Sequence, residues 1–175
     1  PAPPPAPMAA EPEPEAPTVD ARVVSDLLVD AIVQVESAGD PRCVGKAGER
    51  GLMQLKRETW DQVTREAYGR TLSFGKAFEP GLNRRMGRHY LAYLQGFLWE
   101  HRARWSGDER SLLLACYNAG PHAVRRAGFD LVRLPPHTRS YVERASALHD
   151  LYLRREAPGA DAFFLTQSLR PGRDS

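Results

Sequence analysis

Apolar residues recur every three to four positions through most of this chain, a periodicity that divides it into helices. From Asp20 to Ser37 a polar stripe of Arg22, Asp26, Asp30 and Gln34 opposes an apolar row of Leu28, Val29, Ile32 and Val33. This predicts one helix, closed by Ser37-Ala38-Gly39-Asp40-Pro41, a glycine stop followed by proline. Residues 38–56 carry Gly39, Pro41, Gly45, Gly48 and Gly51 and read as a loop, with at most a short hairpin within residues 42–54. A short helix is predicted from Arg57 to Tyr68. Pro80, suited to a first helical position, opens a long helix to about Arg102, with Leu82, Met86, Tyr90, Leu94 and Leu98 at helical spacing. Asp108 is placed to cap a helix from Glu109 to about Asn118, closed by Ala119-Gly120-Pro121. A short helix from His122 to Ala127 and a last one from Thr138 to about Arg155 complete a mainly α fold.

Composition sets the limits of the folded part. The first seventeen residues hold eight prolines interleaved with Glu11, Glu13 and Glu15, so residues 1–18 read as a flexible Pro/Ala/Glu-rich tether. Such a segment is either an arm that holds the domain away from an anchor or partner, or an end with no role. Residues 19–156 are expected to form one domain and residues 157–175 a weakly ordered tail. A net charge of +2, with arginines scattered through the helices, gives no case for nucleic acid. No run of about 18 apolar residues exists, so no membrane span is predicted, and with Pro1 first, any export signal is expected to have been removed. Cys43 and Cys116 lack metal or redox spacing, which leaves two buried thiols or, in an oxidising compartment, one disulfide. The five histidines form no zinc-binding pair.

One acid is out of place. Glu36 follows Val33, Ile32, Val29 and Leu28 by three, four, seven and eight residues, so it extends the apolar row rather than the polar stripe. Burial and the negative end of the helix dipole both favour its protonated form, as a general acid near neutral pH requires. Perturbed carboxylates also occur in purely structural networks, so this helix alone leaves both roles open.

The remaining patterns give Glu36 a context. Glu36-Ser37 ends the first helix and Gly51-Leu52-Met53-Gln54 follows the glycine-rich loop. Asn83, Gly87, Tyr90 and Leu91 mark the long helix, Ala115 through Pro121 end a later one, and Thr138-Arg139-Ser140-Tyr141-Val142 open the last. In order and spacing, from about Val24 to Leu151, these resemble the catalytic domain of the soluble lytic transglycosylases, a goose-type-lysozyme-like helical fold. The resemblance implies a murein-cleaving enzyme of the periplasm or cell envelope, needing no cofactor and acting on peptidoglycan glycan strands. It makes Glu36 the sole catalytic acid and base, and places Ser37, Met53, Gln54, Tyr117, Asn118 and Tyr141 in the substrate site. Read by themselves, Ser37 is a helix-end hydroxyl, Met53 a core residue, Tyr117 and Tyr141 core aromatics, and Asn118 a helix-end amide.

The resemblance further implies that the bond between N-acetylmuramic acid and N-acetylglucosamine is cut without water, closing a 1,6-anhydro ring. A hydrolase would need a second carboxylate; Asp40, Glu49, Glu58 and Asp61 are present, each in a polar loop or helix start that suits an exposed or capping role. Two other readings keep the same cleft: a muramidase that adds water, and a non-catalytic glycan-binding module recruited by the Pro-rich arm to an envelope assembly machine. Departures from the family pattern fall at Gly45, where many members carry serine, at Lys56, where methionine is frequent, and at His137, where glutamate is common.

Overall fold

The computed structural model describes residues 24–156, so the tether at 1–18, the tail at 157–175 and the predicted helical turn from Asp20 lie outside the described residues. Six α-helices follow in order: α1 Asp26–Ser37, α2 Arg57–Tyr68, α3 Pro80–Glu100, α4 Glu109–Ala119, α5 Pro121–Arg126 and α6 Pro136–Glu156. Three 3-10 turns, Phe74–Phe78, Arg102–Arg104 and Leu131–Arg133, join them. Among the described residues no helix is long and apolar enough to cross a membrane.

Boundaries shift for local reasons. The first helix starts at Asp26 because Ser25 takes extended backbone and its Oγ accepts the Leu28 N–H at 3.2 Å. It ends at Ser37 as predicted, but the left-handed cap is Ala38, at φ 52°, rather than Gly39, and its N–H closes onto Gln34 O. Asp108 caps α4 as expected, accepting from the Arg110 and Ser111 N–H groups. Pro136 opens α6 two residues early, where a proline loses no helical hydrogen bond. The hairpin expected in the loop is reduced to two single-residue bridges, Val44 with Arg50 and Arg50 with Leu55.

The core explains how the acid is held. Helix α4 lies at the centre, with Leu112, Leu113, Leu114, Ala115 and Cys116 all buried, a run with no exposed face. It packs against α3, α5 and α6, and α6 also packs against α1. The apolar row of α1 is buried as predicted, while its polar stripe docks onto α3 through Asp30–Arg84 at 2.5 Å and Asp26–Arg88. Both cysteines are free thiols, Cys116 in the core and Cys43 in the loop. The last turn of α1 is thereby fixed against α6 on one side and the 38–56 loop on the other.

Candidate active site

Residue Glu36, in that last turn, lines a cavity of about 290 Å³. The loop supplies Glu49, Gln54 and Lys56 to its wall, α2 supplies Thr59, α3 supplies Tyr90, and the end of α4 supplies Tyr117, Asn118 and Gly120. The Glu36 carboxyl is pushed up to about 7, chiefly by burial. The Tyr141 hydroxyl approaches it and favours the carboxylate, Glu49 opposes ionisation, and Arg144 and Lys56 favour it. No basic side chain occupies the last turn of α1 to offset the helix dipole. A half-buried acid that titrates near neutrality can both give and take a proton.

Two phenols enclose this carboxyl. Burial holds both hydroxyls protonated well above the usual tyrosine range, so they act as neutral donors. Tyr117 donates to Met53 O at 2.7 Å and its ring lies tilted against Tyr90, 5.6 Å between centroids. The Tyr141 hydroxyl is buried without a well-formed hydrogen bond, which leaves it aimed at Glu36 and free to close on the carboxylate. Tyr117→Phe is expected to strip Met53 O of its partner, lowering stability by about 1–2 kcal/mol. Denaturant midpoints check this.

The loop is shaped by Asn83, a fully buried amide on α3. Its Oδ1 accepts from the Met53 N–H at 2.8 Å, and its Nδ2 donates to Arg50 O at 3.0 Å and Ala77 O at 2.8 Å. Gly51, at φ 78°, permits that approach, since a Cβ there would collide with Ala77 O and the Asn83 amide. Gln54 then turns left-handed at φ 46° and spends both Nε2 hydrogens on Cys43 O and Gly51 O. Its Oε1 lies beside Gly45.

The predicted site residues therefore separate. Glu36, Gln54, Tyr117 and Asn118 share the cavity wall, and Tyr141 backs the acid. Asn118 lines the wall as a residue, while its Oδ1 is buried without a hydrogen-bond partner. Ser37 and Met53 are not on that wall. The Ser37 Oγ is buried and donates its one hydrogen to Leu52 O at 2.8 Å, with Val33 O at 3.1 Å as the alternative acceptor, pinning the helix end to the loop. Met53 is fully buried with its sulfur in the space left by Gly87, so only its backbone serves the site. Glu49, read as a loop residue in an exposed or capping role, instead lines the cavity, as does Tyr90, which the sequence marks as part of the long-helix pattern without giving it a place in the site.

A family model described as the transglycosylase SLT domain matches residues 18–129. The chain belongs to that family. Over 74 residues this SLT domain is 38% identical to the endo-type membrane-bound lytic murein transglycosylase A of Citrobacter koseri, spanning 41% of the chain and 36% of the relative. Its match to the Klebsiella pneumoniae protein of the same name has the same extent. The chain thus spans little over a third of the curated relatives it matches.

Among solved structures it resembles lytic transglycosylase Slt of Pseudomonas aeruginosa, crystallised as an inactive glutamate-to-glutamine mutant. That match has a TM-score of 0.61 and 26% identity, covering 74% of this chain and 21% of that one. The 70-kDa soluble lytic transglycosylase of Escherichia coli gives a TM-score of 0.62 and 26% identity over 78% of this chain and 23% of that one. The helical, lysozyme-like fold of the SLT domain is the one observed here.

Proposed function

We propose that this SLT domain cleaves the β-1,4 bond between N-acetylmuramic acid and N-acetylglucosamine in peptidoglycan, leaving 1,6-anhydromuramic ends. The observation that carries the reading is Glu36, an acid pushed up to about 7 at the wall of an open cleft and enclosed by neutral phenols. The inactivity of the Pseudomonas relative's glutamate-to-glutamine mutant supports a role for an essential glutamate in this fold.

The steps balance without water. Protonated Glu36 gives its proton to the glycosidic oxygen as the bond to the muramic C1 breaks, and N-acetylglucosamine leaves with a free 4-hydroxyl. Positive charge develops on the muramic ring beside the new carboxylate, where the Tyr141 hydroxyl can stabilise the anion. The muramic C6 hydroxyl then attacks C1, Glu36 takes its proton, and the acid is restored. Gln54 and Asn118, both on the cavity wall, carry side-chain amides, a group suited to the acetamido and hydroxyl groups of the glycan.

A hydrolytic reading is favoured by one observation, the second carboxylate Glu49 in the same cleft. Digestion of purified murein followed by mass analysis separates the readings. Anhydro ends are expected; reducing muramic ends would mean hydrolysis, and bound chain without release would mean a glycan-binding module. Because the first step consumes the acid form, kcat/KM is expected to fall as pH rises through about 7. The setting proposed is the cell envelope. The reading of residues 1–18 as an arm for an envelope assembly partner rests on composition alone.

A further inference from the structure

The loop carries a second acid whose seat depends on a missing side chain. A Cβ at Gly45 would collide with Glu49 Oε2 and stand 2.7 Å from Gln54 Oε1. The backbone at Gly45 is not left-handed, so the glycine provides space rather than a special turn. Into that space the Glu49 carboxylate folds back, Oε2 accepting the Ala47 N–H at 3.0 Å, while the Gly45 N–H bonds Glu49 O at 2.9 Å. These contacts hold the carboxylate beside the Gln54 amide, on the wall it shares with Glu36.

Charges face Glu36 from several elements. The loop brings Glu49 and Lys56, α6 brings Arg144 and the Tyr141 hydroxyl, and α4 brings the Tyr117 hydroxyl. Tyr90, on α3, is pushed up to about 12 by burial and adds no charge near neutrality. Burial is the chief force keeping Glu36 protonated; against it Lys56 and Arg144 favour the carboxylate, and Glu49 opposes them. Among the described residues, Glu49 is the only other carboxylate on the wall of this cavity.

We propose that Glu49 is a positioning residue for the cleavage reaction: seated against Gly45, it keeps a fixed negative charge in the cleft that holds Glu36 as the acid the first step consumes. This rests on the glycan-cleaving reading of the same site. It also joins the departures at Gly45 and Lys56 into one device, a cation and an anion set on either side of the acid's titration.

The test uses the full chain with glutamate side chains labelled at Cδ, titrated by carbon NMR as wild type, Glu49→Gln and Gly45→Ser. Glutamine keeps the size and the acceptor for the Ala47 N–H while removing the charge. The Glu36 midpoint is expected to drop by about half a pH unit in Glu49→Gln, and the alkaline limb of kcat/KM with it, a roughly threefold loss above the midpoint. Gly45→Ser, which displaces the carboxylate without removing it, is expected to shift the midpoint the same way and to add little to Glu49→Gln in the double variant. A Glu36 midpoint unchanged in Glu49→Gln overturns the proposal, as does a shifted midpoint with an unmoved kcat/KM limb. If no form of the chain cuts murein, the glycan-cleaving reading fails, while the NMR midpoints still decide whether Glu49 acts on Glu36.

Discussion

Replacing Glu36 by Gln is expected to reduce murein cleavage by at least about a thousandfold, since one group would lose both its proton donation and its proton abstraction. The amide matches the carboxyl in size, so the cleft and the affinity for glycan strands should survive, and fragment release at saturating murein checks the loss. The same change should make the protein more stable. The folded-state pKa of about 7 lies above the ordinary glutamate value, so the native state holds an extra proton between roughly pH 4.5 and 7. Stability is therefore lost as pH rises through that window, and above it the charged, half-buried acid penalises the fold by something on the order of 2 kcal/mol. Glu36→Gln should accordingly raise Tm at pH 8 and leave it nearly unchanged at pH 4. A catalytic group held against its own solvation behaves in this way, whereas a surface glutamate would shift neither activity nor Tm.

Asn83→Ala is the substitution expected to be most damaging to the fold. It leaves the Met53 N–H, Arg50 O and Ala77 O without their partner, at a buried position on α3. Each orphaned group costs about 1–3 kcal/mol, so a total loss of about 3–5 kcal/mol is expected once the loop relaxes. Because the same amide sets the course of residues 50–53, surviving folded protein should also lose activity, through displaced Gln54 and Glu49. Urea unfolding of the variant against wild type, with cleavage measured well below the midpoint, separates the two effects.

Most of the helical frame could be read from the chain because its signals are local and repeated. The row Leu28, Val29, Ile32 and Val33 is buried as its spacing required, and the Asp108 cap sits where its sequence position placed it. The 3-10 turns escaped because three to five residues hold no helical period, and the start of α1 was misplaced because polar spacing ran past the Ser25 cap. Spacing alone marks Glu36 as out of place on an apolar row, while its catalytic role is implied by the family patterns around it. Ser37 and Met53 could not be sorted in this way, because a motif carries the residues that build a loop together with those that face the ligand. Only the contacts show Ser37 clamped to Leu52 and Met53 seated at Gly87. Glu49 was misread for the opposite reason. A carboxylate in a polar loop looks solvated until the space beside Gly45, formed by chain folding back on itself, is known.

The central claim is that one carboxyl does the chemistry of this cleft and that the substrate's own hydroxyl takes the place of water. Cleavage of murein in oxygen-18 water, with the fragments reduced immediately and weighed, tests it most directly. New muramic ends that are 1,6-anhydro and carry no label are the predicted result; reducing ends labelled from the solvent would contradict it.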